Sequence, residues 1–216
     1  MRARPVRLAG ERCNAGIKEL QLVEAEDWVG ADWVQGGNYG PLPTTMDPHE
    51  RQAVAVGNSR AGAAAGEGLF ARRSFLPGEL VSYFGGLHTT TEEMFWSNMT
   101  EAEETEAGSY YYNLGVNCPD WWGVSEELVL DIPPSHRSIT QYRSTLGHKT
   151  NHAFRSQANC EFSVVRHPVQ GAIPCLLAIK PISRGQELTV DYLYDMDSAE
   201  QWYRDLYHET IRRKPE

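Results

Sequence analysis

Turn-forming residues recur along this chain so closely that the elements between them cannot be long. Pro77-Gly78, Gly85-Gly86, Pro168–Gly171 and the sequence SRGQ at 183–186 each separate one apolar segment from the next. Proline and glycine set the backbone angles that tight turns need, and both are disfavoured inside helices. Between such turns lie the segments QAVAVGN, ELVSYF, FSVVRHP, GAIPCLLAIKPI and ELTVDYLYD, whose β-branched and aromatic residues favour strands. The pattern therefore predicts a mostly β (α+β) chain of short strands.

The C-terminal part of the chain carries the clearest helical pattern. Ser198 followed by Gln201 is the residue pair of an N-terminal capping box. Beyond it, large apolar and aromatic residues recur every three or four positions and share one helical stripe: Ala199, Trp202, Tyr203, Leu206, Tyr207 and Ile211. Basic residues follow at 212–214, where positive charge suits the C-terminal end of a helix dipole. A second short helix is predicted over 91–107 from composition.

Charge and apolar pattern restrict the partners and the compartment. The formal net charge is −9, whereas direct nucleic-acid binding usually needs a basic surface. No apolar run approaches the roughly 18 residues of a membrane span, and the N-terminal sequence lacks the apolar core of a secretory signal. The cysteines, at 13, 118, 160 and 175, are scattered without a CxxC pair. Buried free thiols in a cytosolic or nuclear protein are the simpler interpretation.

One segment of the chain is strongly acidic. From Glu92 to Glu106 there are six glutamates and no lysine or arginine. Such a run is either a solvated acidic loop or an attractor for a basic partner such as a protein tail. The sequence leaves both interpretations open.

Three separated segments carry a family resemblance. They are AGEGLFARRSFLPGELVSYFGG at 65–86, LGHKTNHAFRSQANCEF at 146–162 and AIKPISRGQELTVDYLYD at 178–195. In this order and spacing they resemble the SET domain of protein lysine methyltransferases, in the type that carries MORN repeats, although no MORN repeat is recognisable here. The resemblance implies a SET domain over 47–195, with a flanking segment at 1–46 and a helical segment at 196–216. It also implies a β-clip-like fold of small curled sheets, in which the NHAF and ELTVDYLYD segments meet in a knot-like crossing.

The same resemblance implies a function. SET-domain enzymes transfer a methyl group from S-adenosyl-L-methionine to a lysine of a protein. The implied substrate is a basic protein tail, either of histone H3 or of a non-histone protein. The implied role is that of a chromatin regulator, and the implied location is the nucleus and/or cytoplasm. No direct nucleic acid, membrane or metal partner is expected, and His148, His152 and Cys160 lack a metal-ligand spacing. A non-catalytic SET module that binds a protein tail is the alternative.

Glycines and an Asn-His pair make up the cofactor site that the resemblance implies. Glycine lets the main chain approach a ligand closely, so the loop at 65–68 fits a backbone cradle. The implied cofactor-binding residues are Ala65, Gly66, Glu67, Gly68, Asn151, His152 and Trp202. The implied catalytic residue is Tyr192. Tyr194 lies two positions further along a predicted strand and therefore on the same side, and the resemblance implies that it helps to form the wall of the lysine channel.

The substrate channel departs from the family pattern. Phe84 and Phe162 occupy implied lysine-pocket positions where the resembled type has tyrosines, and Leu206 occupies the position of an acidic cofactor contact. Ala153 follows the Asn-His pair where the family usually has serine. A phenylalanine leaves the space and hydrogen bond of a tyrosine hydroxyl unused, so the sequence predicts methylation beyond the monomethyl stage.

Overall fold

The structure is a computed structural model of the chain and describes residues 33–34, 42–43, 45–61, 65–90, 111–114, 128–132, 144–154, 156–167, 169–194, 196–197, 199 and 201–212. Its elements in chain order are β1 (Trp33–Val34), β2 (Leu42–Pro43), α1 (Pro48–Ala53), β3 (Val54–Asn58), β4 (Glu67–Ala71), β5 (Leu80–Tyr83), β6 (Leu87–Thr90), β7 (Tyr111–Asn113), β8 (Leu128–Asp131), β9 (Asn151–His152), β10 (Cys160–His167), β11 (Gly171–Ala178), β12 (Glu187–Val190) and α2 (Gln201–Arg212). A 3-10 turn at Gly147–Lys149 precedes β9. The predicted mostly β class is confirmed.

Strand β12 joins the parts of the largest sheet. The order of this sheet is β3-β4-β12-β10-β11-β5. β12 pairs antiparallel with β4 and parallel with both β9 and β10. β9 and β12 come from the two segments for which a crossing is predicted, and they lie side by side. Strands β6, β8 and β7 form a second sheet, and β1 pairs with β2, so the prediction of several small sheets is also confirmed.

The hairpin predicted at Pro168–Gly171 is confirmed, because β10 and β11 pair antiparallel on either side of that turn. The strand predicted over 187–195 is too long, because β12 ends at Val190. Asp191 Oδ1 accepts a hydrogen bond from the Leu193 N–H at 3.0 Å, and Leu193 has a φ of 52°. A positive φ turns the backbone away from the extended conformation. Tyr192 and Tyr194 therefore project from a turn, not from alternate positions of a strand.

Helix α1 lies where the sequence pattern predicts the beginning of a strand, at Gln52. Asp47 is its N-cap and accepts hydrogen bonds from the first backbone N–H groups of the helix, at 2.6 and 3.4 Å. The other carboxylate oxygen of Asp47 lies 2.9 Å from Nε2 of His167 in β10. Both side chains are fully buried. This pair fixes the start of α1 against the β10–β11 hairpin.

A second buried carboxyl group joins α1 to β5. Glu50 accepts hydrogen bonds from Ser82 Oγ at 2.9 Å and from the Tyr83 N–H at 2.5 Å. Burial raises the pKa of Glu50 to about 8. The group therefore holds a proton at neutral pH, which removes the cost of a buried charge.

Two clusters of buried apolar residues form the core of the part of the chain that the structure describes, and Phe162 packs against both. The first surrounds Leu69, Phe75, Leu188 and Val190, and the second surrounds Tyr83, Phe84, Leu130 and Ile173. Cys160 and Cys175 are buried free thiols, as the sequence predicts for these two. Neither helix of the described residues is long and apolar enough to cross a membrane. The acidic segment from Glu92 to Glu106 and residues 198 and 213–214 lie outside the described residues.

Candidate functional site

A cavity of about 620 Å³ lies between the β3–β4 loop, the turn before β9, the end of β12 and helix α2. Its lining residues are Ala61, Ala65, Gly66, Glu67, His148, Lys149, Asn151, His152, Tyr192, Tyr194, Trp202 and Leu206. Most residues of the implied site are among them. Gly68, Phe84 and Phe162 are not. The cavity thus brings together side chains from four segments that are widely separated in sequence.

The β3–β4 loop forms one wall of the cavity. The Ser59 N–H donates to the Gly66 carbonyl oxygen at 2.9 Å, which closes the base of the loop. Gly66 has a φ of 61°, in the region that favours glycine. Two positions on, a Cβ atom at Gly68 would collide with Glu187 Oε1. Gly66 therefore shapes the loop, whereas Gly68 makes room for a carboxylate behind it.

Asn151 attaches β9 to this loop. Its Nδ2 atom donates to the Glu67 carbonyl oxygen at 3.0 Å and lies 3.2 Å from Glu187 Oε1. At the rim, Lys149 Nζ forms an ion pair with Glu67 Oε2 at 2.8 Å. The two walls of the cavity are thus connected by hydrogen bonds and by an ion pair.

His152 is a neutral imidazole inside an aromatic group. Its ring centroid lies 4.6 Å from that of Phe154, 4.8 Å from Tyr203 and 5.2 Å from Tyr192. Burial lowers its pKa to about 4. The Tyr192 N–H donates to His152 Nδ1 at 3.2 Å.

The Nε2 atom of His152 is buried and has no hydrogen-bond partner among the described residues. The whole side chain is only 3% exposed. A buried polar atom without a partner is costly, and such an atom at a cavity wall suits a ligand that offers it a hydrogen bond. His148 also lines the cavity, and burial lowers its pKa to about 3. Both histidines that line the cavity are therefore neutral at physiological pH.

Tyr192 lies two residues beyond the end of β12 and beside His152. Its hydroxyl group donates to the Thr150 carbonyl oxygen at 2.8 Å. Its ring centroid lies 5.4 Å from that of Tyr194. A tyrosine hydroxyl group that donates its hydrogen can also accept a hydrogen bond through its oxygen. The geometry suits a group that accepts a hydrogen bond from an N–H of a ligand.

Phe84 and Phe162 lie outside the cavity wall and contact each other at a centroid separation of 6.1 Å. Both contact Tyr112, at 6.4 and 5.3 Å. Phe84 also lies 6.4 Å from the ring of His148, which does line the cavity. The two phenylalanines therefore belong to an aromatic cluster that touches the cavity through His148.

Helix α2 covers the other side of the cavity. Trp202 and Leu206, one turn apart, both line it and remain 44% and 37% exposed. The next residue after Trp202, Tyr203, is buried against His152 and Tyr194. At position 206 the helix therefore offers an apolar edge to the cavity.

Sequence reasoning from the family resemblance did not identify Ala61, His148 or Lys149 as cavity residues. His148 and Lys149 directly precede the Asn-His segment, and their position in the 3-10 turn brings them to the wall. Their closeness to Asn151 in the sequence could have predicted that His148 and Lys149 line the cavity. The described residues contain no group of three or more acidic, histidine or cysteine side chains that could hold a metal ion.

Comparison with known proteins identifies the family. A family model described as SET domain matches residues 66–193. Histone-lysine N-methyltransferase SETD7 of Halocynthia roretzi is 26% identical over 170 residues, which make up 75% of this chain and 39% of that protein.

Two solved Chaetomium thermophilum Polycomb Repressive Complex 2 structures are also similar. The one bound to S-adenosylmethionine has a TM-score of 0.46 at 22% identity and matches 74% of this chain and 17% of its own. The one bound to GSK126 has a TM-score of 0.48 at 23% identity, with coverages of 73% and 17%. Because the family model matches more than half of the chain, this protein belongs to the SET-domain family.

Proposed function

We propose that this chain is an S-adenosyl-L-methionine-dependent protein-lysine N-methyltransferase. The observation that carries the proposal is the cavity in which Tyr192 and the neutral, buried His152 lie beside the glycine-containing loop. The proposed catalytic domain is 47–195, flanked by 1–46 and by the helical segment 196–216. The chain spans 39% of the length of its curated relative, so the activity is proposed for this part alone.

Several residues of the cavity suit the cofactor. When bound, S-adenosyl-L-methionine supplies a methyl group on a positively charged sulfonium. The backbone of the loop at 65–67 is open to a ligand, and the buried Nε2 atom of His152 needs a hydrogen-bond partner. The exposed ring of Trp202 offers a flat apolar surface. Since His148 and His152 are neutral, neither repels a cation.

Tyr192 and its neighbours suit the reacting lysine. A lysine amine has a pKa of about 10.4 in water and must lose its proton before it attacks. An aromatic, partly dry environment lowers that pKa, because burial disfavours the charged form. The hydroxyl oxygen of Tyr192 can then accept a hydrogen bond from the amine and orient its lone pair. Tyr194, which lines the cavity beside Tyr192, forms part of the proposed substrate wall.

Phe84 and Phe162 are proposed to set the degree of methylation. Neither ring carries a hydroxyl group that would occupy space near a methylated amine or bind a water there. In this proposal the pocket accepts a second methyl group and the product extends to dimethyl-lysine.

The proposed substrate is a basic protein tail, such as that of histone H3, or a lysine of a non-histone protein. The net charge of −9 supports a basic partner. The proposed location is the nucleus, with or without the cytoplasm, and no direct contact with nucleic acid is included in the proposal.

A specific observation favours a second candidate function. Leu206 lines the cavity, and it occupies the position of an acidic cofactor contact in the resembled type. A chain that has lost cofactor binding would be a non-catalytic module that holds a protein tail. Titration calorimetry separates the two functions, because only the enzyme releases or absorbs heat with S-adenosyl-L-methionine.

The activity itself is tested with labelled cofactor. We expect incubation with a panel of histones and with cell extract to label proteins, and mass spectrometry to find the label on lysines. Tyr192→Phe is the control for contaminating activity. Heat of cofactor binding without any labelled protein would refute the catalytic part of the proposal.

A further inference from the structure

The carboxylate of Glu187 receives hydrogen bonds from both walls of the cavity. On the loop side, Ser59 Oγ donates to Oε1 at 2.7 Å, and the backbone N–H of Arg60 donates to Oε2 at 2.7 Å. On the other side, Asn151 Nδ2 lies 3.2 Å from Oε1. The two partners on the loop and Asn151 come from different segments of the chain. A single side chain at the beginning of β12 thus connects the β3–β4 loop to β9.

Glu187 is not among the described residues that line the cavity, so its effect on a ligand passes through its partners. Ala61, directly after Arg60, lines the cavity, and its N–H donates to Ser59 Oγ at 3.1 Å. Asn151 lines the opposite wall and also donates to the Glu67 carbonyl oxygen. Two lining segments therefore depend on where this carboxylate lies.

The chain makes specific room for this carboxylate. A Cβ atom at Gly68 would collide with Glu187 Oε1 and would lie 3.2 Å from Asn151 Nδ2. Gly68 is buried in β4, and the backbone partner of Glu187 across β4 and β12 is Phe70. The absence of a side chain at 68 thus allows Glu187 to lie between the loop and β9. This explains the second glycine of the loop without a direct contact to a ligand.

We infer that Glu187 is a positioning residue that holds the cofactor wall in its binding conformation before any ligand arrives. The inference rests on the proposed function for the identity of the ligand. A preformed wall lowers the cost of ordering on binding. Loss of the carboxylate should therefore weaken cofactor affinity while the methyl-transfer rate at saturating cofactor stays close to that of the parent.

The test compares Glu187→Gln with Glu79→Gln. The glutamine keeps one acceptor oxygen, but its NH2 group cannot accept a hydrogen bond and the side chain carries no charge, so the three donors around Glu187 lose part of their acceptor. Glu79 is a matched control, because it also accepts from a backbone N–H, that of Leu76, and from a side chain, that of Arg73 at 3.2 Å. None of these three control residues lines the cavity.

We expect Glu187→Gln to raise the calorimetric Kd for S-adenosyl-L-methionine by about tenfold or more, since hydrogen bonds to a charged group are lost. Glu79→Gln should change that Kd by less than about twofold, because its contacts are remote from the cavity. In kinetics, the KM for the cofactor should rise in Glu187→Gln with little change in kcat. A purely structural role would instead lower the amount of active protein and leave KM unchanged.

A second measurement needs no ligand. In the free protein, the Arg60 amide hydrogen should exchange with solvent about tenfold faster in Glu187→Gln than in the parent, because a neutral amide replaces the carboxylate to which it donates. If Glu187→Gln does not fold, Ser59→Ala replaces it. This variant removes the hydrogen bond from Ser59 Oγ to Glu187 Oε1 and changes a residue of the loop, not of the sheet.

The outcomes separate the two proposals. A parent protein that shows no heat with S-adenosyl-L-methionine refutes the proposed function, and the Arg60 exchange then decides the positioning role alone. A parent that binds, together with a Glu187→Gln variant of equal Kd and equal Arg60 exchange, overturns the inference and leaves the proposed function standing.

Discussion

Replacing Tyr192 with phenylalanine removes one oxygen atom that has both a structural contact and a proposed catalytic role. The structural contact is the hydrogen bond to the Thr150 carbonyl oxygen at 2.8 Å. Its loss should lower the free energy of unfolding by about 0.5–1.5 kcal/mol. Domains are typically stable by about 5–15 kcal/mol, so the variant should remain folded. The ring itself, with its contacts to His152 and Tyr194, is retained.

The catalytic loss should be much larger. Removing one positioned polar group from a desolvated site costs roughly 10²–10³ in rate, or about 2.7–4 kcal/mol of transition-state stabilisation. The loss of rate therefore exceeds what unfolding of a small fraction of molecules could cause. We expect kcat to fall by about that factor while the calorimetric Kd for S-adenosyl-L-methionine changes by less than about twofold.

The assay measures transfer of labelled methyl groups to a substrate found in the extract screen, with saturating cofactor. Urea unfolding of the same protein samples gives the stability change. Tyr207→Phe is the matched control, because Tyr207 packs on Phe154 at 5.5 Å and does not line the cavity. A Tyr192→Phe enzyme that turns over like the parent would refute the catalytic assignment.

Three further predictions address the pocket and the core. Mass spectrometry over a time course should find dimethyl-lysine from the parent, and Phe162→Tyr should shift the product toward monomethyl-lysine by about tenfold in the second transfer rate. A purely monomethylated product at long times with excess enzyme would contradict this. His152→Ala should weaken S-adenosyl-L-methionine binding by about tenfold, as measured by calorimetry, since the buried Nε2 atom is lost as a hydrogen-bonding group. Unchanged affinity in a folded variant would move the site elsewhere. Burial raises the pKa of Glu50 from 4.5 to about 8. Between these two pH values the folded state therefore binds a proton that the unfolded state has lost, and the free energy of unfolding should decline as the pH rises across this range. Glu50→Gln should flatten this decline in urea unfolding between pH 5 and 8.5, and an identical slope would disprove a protonated Glu50.

Local sequence patterns predicted the helix and the hairpin whose formation depends on residues close together in the sequence. The stripe of residues from 199 to 211 predicted α2, and the turn at Pro168–Gly171 predicted the β10–β11 hairpin. Helix α1 was missed, although Asp47 followed by Pro48 is the signature of an N-cap and a first helical residue. The apolar residues after Gln52 resemble a strand, and they do form one from Val54 onward. The predicted strand is therefore present, but it begins at Val54 and not at Gln52.

The candidate site could be predicted only in part. The family resemblance brought the Asn-His segment and Tyr192 together, and they do lie side by side. Periodicity assigned Tyr192 and Tyr194 to a strand, but the Asp191–Leu193 turn positions them. The sequence did not identify Glu187 as a site residue, because its hydrogen-bond partners lie far away in sequence. The alternating pattern of polar and apolar residues in β12 fits a solvent-exposed glutamate equally well.

The position of β12 in the sheet has a consequence for the order of folding. This strand pairs with β4, β9 and β10, and its Glu187 contacts a serine 128 residues earlier in the chain. Contacts across such separations form late, because the entropy of closing the intervening chain must be lost first. During synthesis the β3–β4 loop and β9 leave the ribosome well before the strand that joins them. The nascent chain therefore lacks the complete cavity until β12 is made, and it exposes unpaired edges of β4 and β10 to aggregation in that interval.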